Sequence, residues 1–178
     1  MAHSAEYLKQ LKKLHKFNFG SGDTLPEVVK EILDSGEVTS FLDFGSGKGY
    51  LSQKISEAYP DIKLYTYDPV TSPIDLPEQV DMTYSSDVLE HVEPHLLEQT
   101  LDDLFARTTK YHYHLIACHP AKKRLSDGRN AHLIIEQPKW WKRQLEKYKW
   151  QIQHEKITER YVEKFNINVI KYITVLKK

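Results

Sequence analysis

Phe41-Leu42-Asp43-Phe44-Gly45-Ser46-Gly47-Lys48-Gly49-Tyr50 is the stretch from which the rest of the chain can be read. Apolar residues flank one acid, glycines then alternate, and Leu51 to Ala58 suits a helix. That order predicts strand, tight turn, helix. Gly45, Gly47 and Gly49 lack a Cβ, so they can take positive φ and let a ligand lie close to the backbone. A helix expected to begin near Lys48 would turn unpaired N–H groups and the positive end of its dipole toward that ligand. The spacing Asp-x-Gly-x-Gly-x-Gly departs from the dinucleotide fingerprint, which would want glycine or alanine at Tyr50, and it lacks the Gly-Lys-Ser/Thr ending of a phosphate loop. A nucleoside-bearing ligand is the expected occupant; an ordinary glycine turn after a buried strand is the bland alternative.

Working outward, Ile62 to Asp68 alternates, is rich in aromatics and ends in an acid, the pattern of a second strand. Asp68 lies about twenty residues beyond the turn, where a carboxylate can accept hydrogen bonds from ribose hydroxyls; a plain strand-end aspartate is the alternative. The segment Pro69 to Gln79, PVTSPIDLPEQ, holds too many prolines to host a full helix and strand. Val80 to Ser86 predicts the next strand, Pro94 to about Thr108 a helix with a broad apolar face, and Tyr111 to Cys118 a central strand. A polar loop, His119 to Asn130, leads to a proline-led helix containing Trp140 and Trp141. Phe165 to Leu176 suits a last, antiparallel strand. Ahead of the glycine turn, Ser4 to Lys16 is an amphipathic helix, Asn18 to Gly22 a turn, and Pro26 opens a helix over Glu27 to Asp34 that Ser35-Gly36 ends. The leading helix would either cover the ligand pocket or pack on a sheet edge.

On these residues a family resemblance becomes visible. The glycine stretch resembles the first motif of class I S-adenosylmethionine-dependent methyltransferases. Val80 to Pro94, VDMTYSSDVLEHVEP, is similar to the stretch after the fourth strand in the ubiquinone-biosynthesis type of O-methyltransferase, and the resemblance covers most of Phe41 to Lys156. It implies one α/β domain over residues 1–178, with residues 1–36 as a helical cover and 37–178 as a Rossmann-like core. Its sheet would be mostly parallel, flanked by helices, with an antiparallel last strand, and shortened after the second strand because the usual helix and third strand are missing. It also implies S-adenosylmethionine as cofactor, held by Asp43, Gly45, Ser46, Gly47, Gly49, Tyr50, Asp68, Pro69 and Ser86. The methionine part would lie at Gly45 to Gly49 and the ribose at Asp68. The shortened segment removes the usual adenine-recognising acid, for which Asp75 is the stand-in.

Methyl transfer to a hydroxyl or amine needs positioning and a way to remove a proton. His91 and His132 are the candidate general bases, since an imidazole titrates near neutral pH. The resemblance also offers a divalent metal ion, ligated by Asp87, Glu90, His91 and His132, as in small-RNA 2′-O-methyltransferases and ubiquinone-pathway enzymes; the alternative is that the acid and histidine only organise their loop. Asp87 and Glu90 would share a helical face. Trp140 and Trp141 could stack on an aromatic acceptor or pack in the core, and Arg124 and Arg129 could bind an anionic group or be solvated. His112, His114, His119 and His154 are expected to be strand, loop or surface residues.

Lys and Arg number 25, as do Asp and Glu, so net charge names no partner. The distribution is uneven: from Phe41 to Phe105 thirteen acids face three lysines, and from Ala106 onward cations lead. The expected acceptor is a small molecule methylated at oxygen. An RNA or nucleotide 2′-O-methyltransferase using a metal is the rival enzyme, and nucleic acid is the partner that the basic second half would meet. A catalytically silent cofactor-binding module is the rival from another class. The sole cysteine, Cys118, sits in an apolar run and fits a reducing cytoplasm. With no long apolar run, no membrane partner is expected. Nothing in the sequence indicates an oligomeric state.

Overall fold

The architecture comes from a computed structural model, whose described residues are 3–15 and 22–178. The turn expected over Asn18–Gly22 therefore lies outside the described residues, except for Gly22. Six strands form one sheet: β1 (Ser40–Phe44), β2 (Lys63–Tyr67), β3 (Val80–Ser86), β4 (Thr108–Ala117), β5 (Gln151–Val162) and β6 (Ile167–Lys177). Their spatial order is β2-β1-β3-β4-β6-β5. The first four run parallel, and β6 pairs antiparallel with both β4 and β5. The chain is thus a mostly parallel α/β sheet with an antiparallel end, as expected, although the strand inserted against β4 is β6 and β5 occupies the rim.

Alternation along the strands divides the core into two layers. Phe41, Met82, Tyr84, Tyr111 and Tyr113 face the side covered by α2 (Glu27–Asp34) and α3 (Tyr50–Ala58), which contribute Val29, Leu33, Leu51 and Ile55. Leu42, Phe44 and Ile116 face α4 (Leu97–Arg107) and α5 (Pro138–Glu146). Trp141 and Leu145, one turn apart on α5, are both buried in that layer, with Trp140 packed beside them. The tryptophans are thus core residues, and neither takes part in the ligand cavity.

Between β2 and β3 the prolines have their expected effect, and no helix or strand forms. Asp68 turns the chain, its Oδ1 accepting from the backbone N–H groups of Val70 (2.8 Å) and Thr71 (3.0 Å). Arg107 on α4 donates to the Pro77 carbonyl at 2.7 Å, fastening the far end of the segment. β2 is consequently the sheet edge. α1 (Ala5–His15) lies over the carboxyl ends of the strands, with Leu8 facing the segment that follows β2. Its Tyr7 and Leu11 pack with Leu125 and Ala131 in a third apolar cluster, and Gln10 donates to Asp127 at 2.7 Å.

The α4 and α5 layer also buries His112 and His114, both with no measurable exposure. Phe105 stacks on His112 at 4.0 Å, and Ser85 Oγ lies 2.8 Å from His114 Nδ1. Desolvation pushes both imidazoles well toward the neutral form, His114 to a pKa of about 3. Below pH 6.5 the unfolded chain protonates these residues while the folded chain does not, so their contribution is present above that pH and lost as pH falls. The loss is up to about 1.4 kcal/mol per pH unit per histidine. Asp43 and Glu90, whose carboxyl pKa values are raised by burial, act in the opposite sense. The informative quantity is therefore the difference between wild type and His112→Phe. Urea unfolding from pH 7 to pH 5 should show a shallower loss in the variant; parallel pH profiles would remove His112 as a source of acid lability.

Candidate functional site

A cavity of about 910 Å³ opens at the carboxyl ends of β1, β3 and β4, under α1. In a doubly wound sheet this is where ligands bind, because the strand order reverses there and loops diverge. The glycine turn forms one end. Gly45 and Gly47 have φ of 81° and 56°, and Gly49, at 75°, is the residue from which α3 starts. α3 thus begins at Tyr50, slightly later than expected, because the left-handed Gly49 delays it. The N–H groups of Gly45 (2.7 Å) and Ser46 (3.0 Å) both donate to the Tyr67 carbonyl, and Gly47 N–H donates to Asp68 Oδ2 at 3.2 Å. Thr71 Oγ1 donates to the Gly47 carbonyl. The turn is therefore tied to the end of β2 before any ligand arrives.

Of the residues expected to hold a cofactor, Asp43, Gly45, Ser46, Gly47, Asp68, Pro69 and Ser86 line this cavity. Gly49 and Tyr50 do not, since Gly49 is spent on the helix start and Tyr50 is 46% exposed. Asp75 faces a smaller hollow of about 370 Å³ that shares His3, Tyr67 and Pro69 with the main cavity. Asp43 is buried and accepts a 2.5 Å hydrogen bond from Ser52, which joins β1 to α3. Burial raises its pKa to about 6.

Beyond β3 the chain makes a 3₁₀ turn, Leu89–His91, and a second one at Pro94–Leu96 leads into α4. Asp87 precedes the first of these with φ of 52°, so the expected sharing of a helical face with Glu90 does not arise. Its carboxylate pairs with Lys171 Nζ at 2.9 Å. Glu90, by contrast, is wholly buried; Oε1 accepts from Ala117 N–H at 3.1 Å and Oε2 has no hydrogen-bond partner. One ligand-type atom from each of Glu90, His91 and His132 lies within 4.8 Å of the others. Of the four residues expected as metal ligands, Glu90, His91 and His132 thus lie together, and Asp87 stands outside that group.

The imidazoles have defined tautomers. His91 Nδ1 lies 2.7 Å from the Ala131 carbonyl and His132 Nδ1 2.5 Å from the His119 carbonyl. A carbonyl only accepts, so Nδ1 carries the proton in each neutral ring and Nε2 holds the lone pair. The rings meet edge to face, with centroids 4.8 Å apart. Burial lowers the His132 pKa, which keeps the ring neutral and basic near pH 7. His119, expected on a loop or surface, is the residue the sequence did not single out: it lines the cavity, packs edge-on against His132 at 5.6 Å, and fixes its own Nδ1 on the Ile170 carbonyl at 2.8 Å. Only its place two residues past β4 could have signalled this. Arg124 and Arg129 are turned into their own loop, toward the Gly128 carbonyl and Asp127.

Known structures share the fold. Over its whole length the chain superposes on 1,6-didemethyltoxoflavin-N1-methyltransferase from Burkholderia thailandensis, with a TM-score of 0.63, 13% identity and 91% of that protein covered. The fold is that of the class I S-adenosylmethionine-dependent methyltransferases. A methyltransferase from Methanosarcina mazei matches at a TM-score of 0.59 and 12% identity, over 88% of this chain and 99% of that one. Magnesium protoporphyrin IX methyltransferase from Synechocystis matches at 0.52 and 12% identity, over 100% of this chain and 89% of that one. The Burkholderia and Synechocystis structures hold S-adenosylhomocysteine. No family model and no curated protein matches the sequence. No helix among the described residues is long and apolar enough to cross a membrane.

Within this methyltransferase-like fold, Gly45 has a steric role of its own. A Cβ there would come within 2.3 Å of Val88 Cγ2 and 3.1 Å of Val88 Cβ, at a φ that L residues avoid. A rotamer change cannot remove the second contact, because Cβ is fixed by the backbone. Gly45→Ala should cost about 2–4 kcal/mol from overpacking and left-handed strain. Adding Val88→Ala should return part of that in thermal unfolding; no recovery would place the whole cost in the backbone.

Proposed function

We propose that the protein is a methyltransferase that takes its methyl group from S-adenosylmethionine and delivers it to an oxygen of a small acceptor. The observation that carries this reading is the pair of Nε2 lone pairs on His91 and His132, fixed by backbone carbonyls at the wall of the same cavity that the glycine turn and Asp68 close at the other end. The cofactor fits the donor set: the positive-φ turn can accept its methionine part close to the backbone, and the Asp68 carboxylate suits the ribose hydroxyls. When bound, it supplies an electrophilic methyl group. The chain then has to hold the acceptor in line with that group, exclude water and take up the hydroxyl proton. α1 supplies the exclusion, since Tyr7 and Leu11 roof the cavity. Tyr7 also donates to the His91 carbonyl at 2.5 Å, and Ser4 places two hydrogen bonds on Glu93, so the roof is fastened to the turn that carries the base.

A second reading adds a divalent cation at Glu90, His91 and His132. Its specific support is Glu90 Oε2, buried and without a partner in that group. Ligand atoms about 2.1 Å from one ion lie at most about 4.2 Å apart, so a group spread over 4.8 Å would need to contract by a few tenths of an ångström. Such an ion lowers the pKa of a coordinated hydroxyl.

Calorimetry should detect S-adenosylmethionine binding, and absence of binding at millimolar cofactor would end the reading. With a turned-over acceptor in hand, His91→Ala and His132→Ala should each lower kcat by about 10²–10⁴ if the ring is the base. Chelator separates the two readings. Loss of turnover on chelation, restored by added divalent ion, supports the cation; unchanged turnover leaves the imidazole as sole base.

A further inference from the structure

Beside the two candidate bases stands a third imidazole that proton removal does not use. His119 lines the cavity next to His132, with ring centroids 5.6 Å apart and planes at 78°. Its place is fixed twice by one oxygen: Cys118 N–H donates to the Ile170 carbonyl at 2.8 Å, and His119 Nδ1 lies 2.8 Å from the same atom. A carbonyl only accepts, so the neutral ring carries its proton on Nδ1 and its lone pair on Nε2. The Nε2 atoms of His119 and His132 have no hydrogen-bond partner among the described residues, and neither is enclosed by protein.

His119 also joins two walls of the cavity. Its backbone carbonyl accepts from His132 Nδ1 at 2.5 Å, while its ring is fastened to β6, whose Ile167, Val169 and Ile173 line the cavity with apolar surface. A molecule that reaches from the β6 wall to His132 therefore passes His119. Covering Nε2 with apolar surface would strip its hydration and return no hydrogen bond. The group that matches it is a donor. Because the two imidazoles are 5.6 Å apart, that donor and a hydroxyl at His132 belong on separated positions of one ring, not on adjacent atoms.

We propose that His119 contacts the methyl acceptor: its Nε2 accepts a hydrogen bond from a second donor, a hydroxyl or N–H, on an acceptor whose apolar side lies against β6. This rests on the methyltransferase reading above and narrows its substrate class to molecules with two donors set apart on one ring. The second donor keeps its proton; it is held and not methylated.

Calorimetry on the protein saturated with S-adenosylhomocysteine tests this with 5-pentylresorcinol, 3-amino-5-pentylphenol and 3-methoxy-5-pentylphenol, which share the apolar chain and one hydroxyl. The resorcinol, the aminophenol or both should bind about fivefold tighter than the methoxyphenol, the scale of one net neutral hydrogen bond. The tighter of the two tells whether the donor is O–H or N–H. His119→Phe keeps the backbone carbonyl beneath His132 and a flat ring but has no lone pair. In that variant the preference should fall to about twofold or less, with S-adenosylhomocysteine affinity within about twofold of wild type. A second measurement needs no variant: in wild type labelled with ¹⁵N-histidine, the His119 Nε2 resonance should move upfield with the tighter phenol and less with the methoxyphenol. Equal binding of the three phenols, binding of none, a preference that survives in His119→Phe, or an Nε2 resonance that stays in place would each overturn the proposal. Failure of S-adenosylhomocysteine itself to bind is a different result, since it removes the methyltransferase reading and the proposal with it.

Discussion

One buried carboxyl group holds the site together. Glu90 accepts from Ala117 N–H through its side chain, and its backbone carbonyl accepts from Leu133 N–H at 2.8 Å and Ile134 N–H at 3.0 Å. Three segments therefore converge on one residue: the turn after β3 with His91, the end of β4 that leads to His119, and the extended piece that carries His132. Burial, with the nearby Asp87 charge, raises the Glu90 pKa well above that of a free carboxyl, favouring its protonated form. A neutral carboxyl can accept at one oxygen without the cost of a buried ion, which makes Glu90 tolerable at the centre of the fold.

From this clamp the imidazoles acquire their directions. Each of His91, His119 and His132 has Nδ1 on a backbone carbonyl, and those carbonyls belong to Ala131, Ile170 and His119, all in segments next to the clamp. Ring orientation is thus set by main chain, which moves less than a side-chain partner would. The protonation of one nitrogen leaves the other as a base or ligand, the arrangement in which second partners fix first-rank groups.

Much of this was legible in the sequence where the pattern is local. Strand, glycine turn and helix follow one another within eighteen residues, Asp43 sits at the predicted strand, and the prolines of 69–79 exclude a helix wherever that segment packs. Asp68 was legible as a cavity residue, though not its hydrogen bonds to Gly47, Val70 and Thr71, which depend on how the shortened segment folds back. What was not legible depends on convergence across the sheet. His119 looks like any loop histidine until β4 and the 131–134 segment are brought together by Glu90. Asp87 fits an acid-x-x-acid-His pattern on paper, but a left-handed backbone at φ 52° and the Lys171 ion pair take it out of the group. Trp140 and Trp141 carry no sequence signal that separates a core face from a ligand face.

The two ends of the sheet are built in opposite ways, and the cavity follows from that. At the β2 edge the chain has lost the elements that would extend the sheet, and Pro69 to Gln79 folds against α4. At the other edge β5 and β6 pair from Gln151↔Lys177 to Val162↔Ile167, whereas β4 meets β6 only from Lys171 onward. The far part of the hairpin therefore projects past the end of β4. Because alternate residues of a strand share a face, Ile167, Val169, Lys171 and Ile173 all present to the same side, and that side is the cavity. The length of β5 and β6 beyond β4 raises a wall at the end of the cavity away from the glycine turn. A mostly parallel sheet trimmed at one edge and extended at the other thus sets its cavity between the glycine turn and a single hairpin.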